Sequence, residues 1–240
     1  MENERTLAGN VIITGASRGI GKAIAEKFAA EGKTVLLCAR NASNLLETAA
    51  ALRDSYPKAI IKTFIADLSE KEQVLLFADW CLLQGTPSIL VNNAGVYLPG
   101  NVSDEPEGHI EIMMNINFFS AYYLSRQLLS AMQQEGSGHI FNICSIASLR
   151  AYEGGGSYSI SKFALNGFSQ NLRHELKETG IKVTTVFPGA VMTDTWGDFD
   201  NSNKRIMEAE DVALMILAAS KLSKQAVVEE ITMRPQLGDL

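Results

Sequence analysis

The chain has 240 residues, 46% of them hydrophobic and 20% charged, with a formal net charge of −6, which suits one α/β domain spanning residues 1–240 with a substantial core. That charge, with no basic stripe to offset it, argues against a nucleic-acid partner, and no apolar run approaches the roughly 18 residues of a membrane span. The start from Met1 to Asn10 is polar and acidic, unlike a signal peptide, while Cys38, Cys81 and Cys144 are odd in number and lack metal-ligand spacing, so a reducing cytoplasm and no metal are expected. Strand-like runs at 10–14, 34–39, 60–66, 88–92, 139–145, 181–187 and 226–232 alternate with segments of helical periodicity, with no linker or repeat between them. The alternation predicts a doubly wound parallel sheet of about seven strands with helices on both faces. Its ligand crevice should lie beyond the carboxyl ends of the strands.

The first strand, Val11-Ile12-Ile13, runs into Thr14-Gly15-Ala16-Ser17-Arg18-Gly19-Ile20-Gly21 and then into a helix with Ile20, Ile24 and Phe28 on its apolar stripe. Gly15 permits a tight turn, Gly19 lets the backbone approach a pyrophosphate, Gly21 allows helix and strand to pack closely, and the helix N-terminus faces the phosphates. A bare glycine pattern is weak evidence, and its position between strand and amphipathic helix strengthens it. The second strand ends in Ala39-Arg40 without an acid. Arg18 and Arg40 can therefore converge on a phosphate with bidentate geometry.

Farther along, Tyr158 and Lys162 lie four apart in a helix-compatible segment and share a face. A tyrosine titrates near pH 10, so only about one molecule in a thousand carries the oxyanion at neutral pH. A neighbouring ammonium that lowers this value by roughly two to three units, at about 1.4 kcal/mol each, makes Tyr158 a workable acid or base near pH 7. By spacing alone such a pair is more often a packed aromatic and a snorkelling stem. His109, His139 and His174 have no carboxylate or cysteine at ligand spacing, and Ser145 is not in a G-x-S-x-G elbow, so hydrolase and metal readings fail.

With these stretches in this order, the chain resembles the short-chain dehydrogenase/reductase family along essentially its whole length. Asp67-Leu68 follows the run Ile60 to Ala66, where family members hold the adenine ring, and Asn92-Asn93-Ala94-Gly95 follows Ser88 to Val91. Asn117, heading Asn117-Phe118-Phe119-Ser120-Ala121, matches the family's catalytic asparagine, with Asn115 the other register. Ser145 lies thirteen residues before Tyr158, and Pro188-Gly189-Ala190-Val191-Met192-Thr193 matches the loop that relatives close over the nicotinamide. The resemblance implies a Rossmann-type domain, hydride transfer between a nicotinamide cofactor and a ketone or diketone, and Asn117, Ser145, Tyr158 and Lys162 as catalytic residues. Tyr158 would protonate the carbonyl oxygen, Ser145 would hydrogen-bond to it, Lys162 would lower the Tyr158 pKa and bind the nicotinamide ribose, and Asn117 would hold a relay water. The cofactor contacts implied are Gly15, Ser17, Arg18, Gly19, Ile20, Gly21, Arg40, Asp67, Leu68, Asn93, Ala94, Gly95, Tyr158, Lys162, Pro188, Gly189, Val191 and Thr193. NAD-dependent members carry an acid at or near Ala39, and its absence here implies NADPH rather than NADH.

A lid is expected from Thr193 to about Lys204, carrying Trp196, Phe199, Asp194, Asp198 and Asp200. The run Gly189 to Gly197 and the tail Val227 to Asp239 are most similar to bacterial sepiapterin-reductase-like members. That likeness implies Trp196 stacking on a pterin, with Ser145, Tyr158 and Trp196 lining the substrate pocket. The plainer reading has Trp196 covering an apolar pocket. A 3-oxoacyl thioester reductase, an alcohol dehydrogenase and a non-catalytic nucleotide sensor are the alternatives, the last disfavoured because Tyr158 and Lys162 are both present. Relatives imply a homodimer or homotetramer built from the helices containing Asn117 and Tyr158.

Overall fold

The computed structural model describes residues 9–239. Seven strands, β1 (Asn10–Thr14), β2 (Thr34–Ala39), β3 (Ile60–Ile65), β4 (Pro87–Asn92), β5 (Gly138–Ile143), β6 (Ile181–Pro188) and β7 (Glu230–Met233), form one parallel sheet in the order β3-β2-β1-β4-β5-β6-β7. The helices are α1 (Gly19–Ala30), α2 (Ala42–Ser55), α3 (Lys71–Leu83), α4 (His109–Met114), α5 (Ser120–Glu135), α6 (Gly156–Leu176) and α7 (Ala209–Ser220). Successive strand residues point to opposite faces, so Val11, Ile13, Val35 and Leu37 enter one core layer while Ile12, Leu36 and Cys38 enter the other. Both faces being covered is what demands near-continuous apolar strands. Ile24 and Phe28 of α1, Leu45 and Leu52 of α2, and Val212 and Ile216 of α7 fill the first layer. Phe77 and Cys81 of α3, Leu124 and Leu128 of α5, and Leu172 of α6 fill the second. The strand order turns back between β1 and β4, and such a switch point opens a crevice at the carboxyl ends.

Two strand ends differ from the sequence prediction. The run 139–145 leaves the ladder after Ile143, because the Ser145 hydroxyl accepts from the Ala147 amide (3.1 Å) and the Ser148 hydroxyl accepts from the Ser145 amide (3.2 Å), which caps a short 3₁₀ turn at Ile146–Ser148. The run 226–232 becomes a four-residue edge strand from Glu230 to Met233. Before it, the Val228 carbonyl is taken by the Thr184 hydroxyl (2.5 Å) rather than by a backbone amide of β6.

A buried polar network, invisible to apolar patterning, ties β4 and β5 to the helices behind them. Asn92 Nδ2 donates to Ser125 of α5 (3.0 Å) and to Asn142 Oδ1 (2.7 Å), and Asn142 Nδ2 donates to Ser169 of α6 (2.8 Å). These side-chain bonds hold β4 and β5 to α5 and α6, with Asn92 Oδ1 left without a partner among the described residues. The three cysteines are buried and free, and burial pushes the Cys38 and Cys144 thiols up to about 12. Among the described residues no helix is long and apolar enough to cross a membrane, and no group of three or more His, Cys, Asp or Glu is gathered to hold a metal ion.

Candidate active site

At the switch point, β1 meets α1 through a turn in which Gly15 (φ +63°) and Gly19 (φ +54°) occupy the left-handed region, which L side chains rarely adopt. Space is equally restrictive at Gly21, where a Cβ would come 2.3 Å from the Gly15 carbonyl oxygen and 2.5 Å from Asn93 Nδ2. Asn93 donates from Nδ2 to the Thr14 carbonyl (2.9 Å) and, with Ala94, gives its backbone N–H to the Thr14 hydroxyl (2.9 Å each). The Asn93-Ala94-Gly95 loop and the glycine turn are thus one unit. Ser17 is held there by the Thr48 hydroxyl on its carbonyl (2.9 Å), and Ile20 packs on the first core layer. Arg18 supplies no side-chain cap to α1, and the first turn of α1 has no acid. The free N–H groups and positive dipole end therefore fit a phosphate.

Both predicted phosphate-binding arginines are paired with carboxylates: Arg18 with Asp194 (3.0 Å) and Arg40 with Asp67 (3.4 Å), the two guanidinium side chains being 64% and 71% exposed. Exposed pairs of this kind are worth about 0–1 kcal/mol, so an incoming phosphate can displace the carboxylates. Burial raises the Asp67 carboxyl, but hydrogen bonds from Ser69 and the Arg40 guanidinium outweigh it and leave the group below its usual value. Leu68 beside it is buried.

The catalytic candidates meet at the ends of β4 and β5. Lys162, buried in α6, donates from Nζ to the Ile143 carbonyl (2.8 Å) and stands 5.9 Å from the centre of the Tyr158 ring. Ser145 hydrogen-bonds to the Tyr158 hydroxyl. Asn117 lies in a π-helical turn, Asn115–Phe119, of the kind often found at functional sites. Its Oδ1 accepts from the Val96 amide (2.7 Å), and its Nδ2 donates to the Val96 carbonyl (3.0 Å) and the Ser161 hydroxyl (2.9 Å). A Cβ on Gly95 would lie 3.2 Å from Asn117 Oδ1 and 3.4 Å from Lys162 Nζ, so these residues surround one point. Asn115, the other register, instead lines a pocket with Ser69 and Tyr123.

The electrostatics differ from the expectation in one respect. The Tyr158 phenol is pushed up to about 12, because burial outweighs the Ser145 hydrogen bond, and nearby Cys144 and Tyr97 act in the same direction as burial. Lys162 is directed at the strand end rather than at the phenol oxygen. Its ammonium is engaged by the Ile143 carbonyl, and burial holds Lys162 itself below its usual value, opposed by Cys144.

The loop after β6 closes the crevice. Pro188 ends the strand, the Gly189 amide donates to the Met233 carbonyl (2.7 Å), Val191 is buried, and Thr193 Cγ2 lies 3.1 Å from where a Gly19 Cβ would be. Trp196 sits in a 3₁₀ turn at Asp194–Trp196, with Nε1 donating to the Val191 carbonyl (2.9 Å) and its ring 5.3 Å from that of Phe199. Sequence reasoning missed two residues here. Tyr97 lies edge-on to Tyr158, ring centres 5.0 Å apart at 80°, and Tyr152 hydrogen-bonds to Tyr97. The available signal was position, since Tyr97 comes two residues after Asn93-Ala94-Gly95.

The family model for short chain dehydrogenases matches residues 9–204. A sepiapterin reductase of Chlorobaculum tepidum is 34% identical over 239 residues, covering 96% of this chain and 97% of that one. Among solved structures, an alcohol dehydrogenase of the archaeon Thermococcus sibiricus, complexed with 5-hydroxy-NADP, superposes with a TM-score of 0.88 at 26% identity over 95% of this chain and 96% of its own. A metagenomic short-chain oxidoreductase in complex with NADP gives a TM-score of 0.84 at 29% identity, over 97% and 99% of the two chains.

Proposed function

The chain belongs to the short-chain dehydrogenase family, as an NADP-dependent oxidoreductase of CH–OH and C=O groups, and we propose that it reduces a ketone or diketone to the alcohol, residues 1–240 acting as one cofactor-binding and catalytic unit. The observation that carries this reading is the convergence of Tyr158, Ser145 and buried Lys162 beside the glycine turn. The residues along the crevice from Arg40 to Thr193 would hold NADPH, which when bound would supply the hydride. Tyr158 gives its proton to the carbonyl oxygen as the C=O electron pair moves onto that oxygen. A phenol pushed up to about 12 keeps its proton throughout the neutral range, as an acid must. Ser145 donates to the same oxygen and stabilises its developing charge. Lys162 places a positive charge beside the phenolate left behind. Asn117, whose side chain is engaged by Val96 and Ser161, holds the relay water that links Lys162 to solvent.

A screen of NADPH oxidation on diketones, pterins, 3-oxoacyl esters and sugars tests the reading, and absence of turnover on every carbonyl overturns it. The phosphate role of the arginines has its own test. Arg40→Ala and Arg18→Ala should each weaken NADPH by about 1.5–3 kcal/mol, the loss of a charge-assisted hydrogen bond, and leave NADH nearly unchanged. Fluorescence titration of both cofactors reads the difference, and equal losses would sink the assignment.

A planar, pterin-like carbonyl compound is the finer substrate reading, supported by the 34% identity to a sepiapterin reductase and by Trp196 in the closing loop. The indole N–H is already held by Val191, which leaves the ring face for stacking. Trp196→Ala should cost about 1–3 kcal/mol in kcat/KM for sepiapterin and spare a small aliphatic ketone. An unchanged ratio between the two substrates removes the stacking role.

A further inference from the structure

Tyr158 has two phenols beside it that the reaction does not require. Tyr97 and Tyr152 come from different loops, are 38% and 44% exposed, and so stand open to whatever enters the site. Neither is loosely placed. Asn117 holds both the amide and the carbonyl of Val96, the residue before Tyr97. The Tyr152 ring packs so closely on Gly155 that a Cβ there would lie 2.8 Å from Cε1.

A tyrosine kept only for packing usually anchors its hydroxyl on a fixed polar group when buried. Among the described residues these two hydroxyls instead meet each other. A phenol has one proton to give and lone pairs to accept with, so a substrate oxygen that takes the Tyr97 proton leaves Tyr152 able to donate to Tyr97 from behind. Hydrogen bonds in a chain polarise one another, so this acceptance makes Tyr97 the stronger outward donor. Its ring touches that of Tyr158 edge-on at 5.0 Å. Two phenols on touching rings can address two oxygens on adjacent carbons, whereas a substrate with one oxygen uses only Tyr158.

We infer that Tyr97, with Tyr152 as a positioning residue behind it, is a specificity-determining donor that takes the second oxygen of a vicinal dicarbonyl or α-hydroxyketone. The inference rests on the carbonyl-reductase reading and narrows its substrate class.

Its test compares diacetyl, acetoin and butanone as substrates with NADPH for the wild type, Tyr97→Phe and Tyr152→Phe, alongside NADPH affinity measured by fluorescence. The wild type should prefer the two-oxygen substrates. Tyr97→Phe should reduce that preference about fivefold to tenfold, the range set by one hydrogen bond, chiefly through KM, with butanone turnover and NADPH affinity unchanged. Tyr152→Phe should act in the same direction by a smaller factor. Equal losses on all three substrates would make the phenols merely structural, and an unchanged preference would remove Tyr97 from recognition. Either result overturns the inference and leaves the reductase reading standing, whereas no turnover of any carbonyl by the wild type overturns both.

Discussion

Tyr158→Phe is expected to cut turnover by at least about a hundredfold, the usual contribution of a positioned acid, while NADPH affinity stays nearly constant. The change removes one hydroxyl at the reacting oxygen and keeps the ring that packs against Tyr97. Lys162→Met should damage both quantities, because it leaves the Ile143 carbonyl without its buried donor and takes away the positive charge on the Gly95 side of the crevice. The pH profile gives a second readout. With the Tyr158 phenol pushed up to about 12, carbonyl reduction, which uses the protonated form, should be flat from about pH 6 to 9. Alcohol oxidation uses the phenolate and should rise with pH across the same range. More than about a tenth of wild-type turnover in Tyr158→Phe would remove Tyr158 from proton transfer.

The second large effect concerns stability in mild acid. His139 on β5 is fully buried, stacks on Phe141 with ring centres 3.9 Å apart, and shares a 2.7 Å hydrogen bond between Nε2 and the Thr184 hydroxyl. Burial, aided by the charge of Lys182, lowers its pKa from 6.5 to about 3. The folded chain thus keeps His139 neutral where the unfolded chain takes up a proton. Stability from this residue is fully present above about pH 6.5 and falls as pH drops toward 3, by about 1.4 kcal/mol per pH unit and about 5 kcal/mol in all. Urea unfolding at pH 7, 6 and 5 should show the wild type losing about 2 kcal/mol more over that range than His139→Gln, which cannot titrate. Parallel losses in the two proteins would show that another group carries the acid sensitivity.

Much of this molecule is legible from residue order. Continuous apolar strands alternating with amphipathic helices leave few ways to bury both, and the doubly wound sheet follows. Gly15, Gly19 and Gly21 announce a turn because only glycine fits those angles and that clearance. The Tyr158 and Lys162 pairing follows from helical spacing. Strand ends are less legible, since Ser145 leaves the ladder through two side-chain hydrogen bonds that no periodicity encodes.

The fold class, the crevice and the identities of the residues at its rim were therefore set by local pattern, which needs only spacing and side-chain type. Three things depended on the tertiary structure: the phenol of Tyr158 pushed up rather than down, the pairing of Arg18 and Arg40 with Asp194 and Asp67, and the gathering of Tyr97 and Tyr152 around Tyr158. Each arises between residues distant in sequence or from burial. Desolvation and through-space contact depend on where the whole chain packs, and neither can be read from neighbours along the backbone.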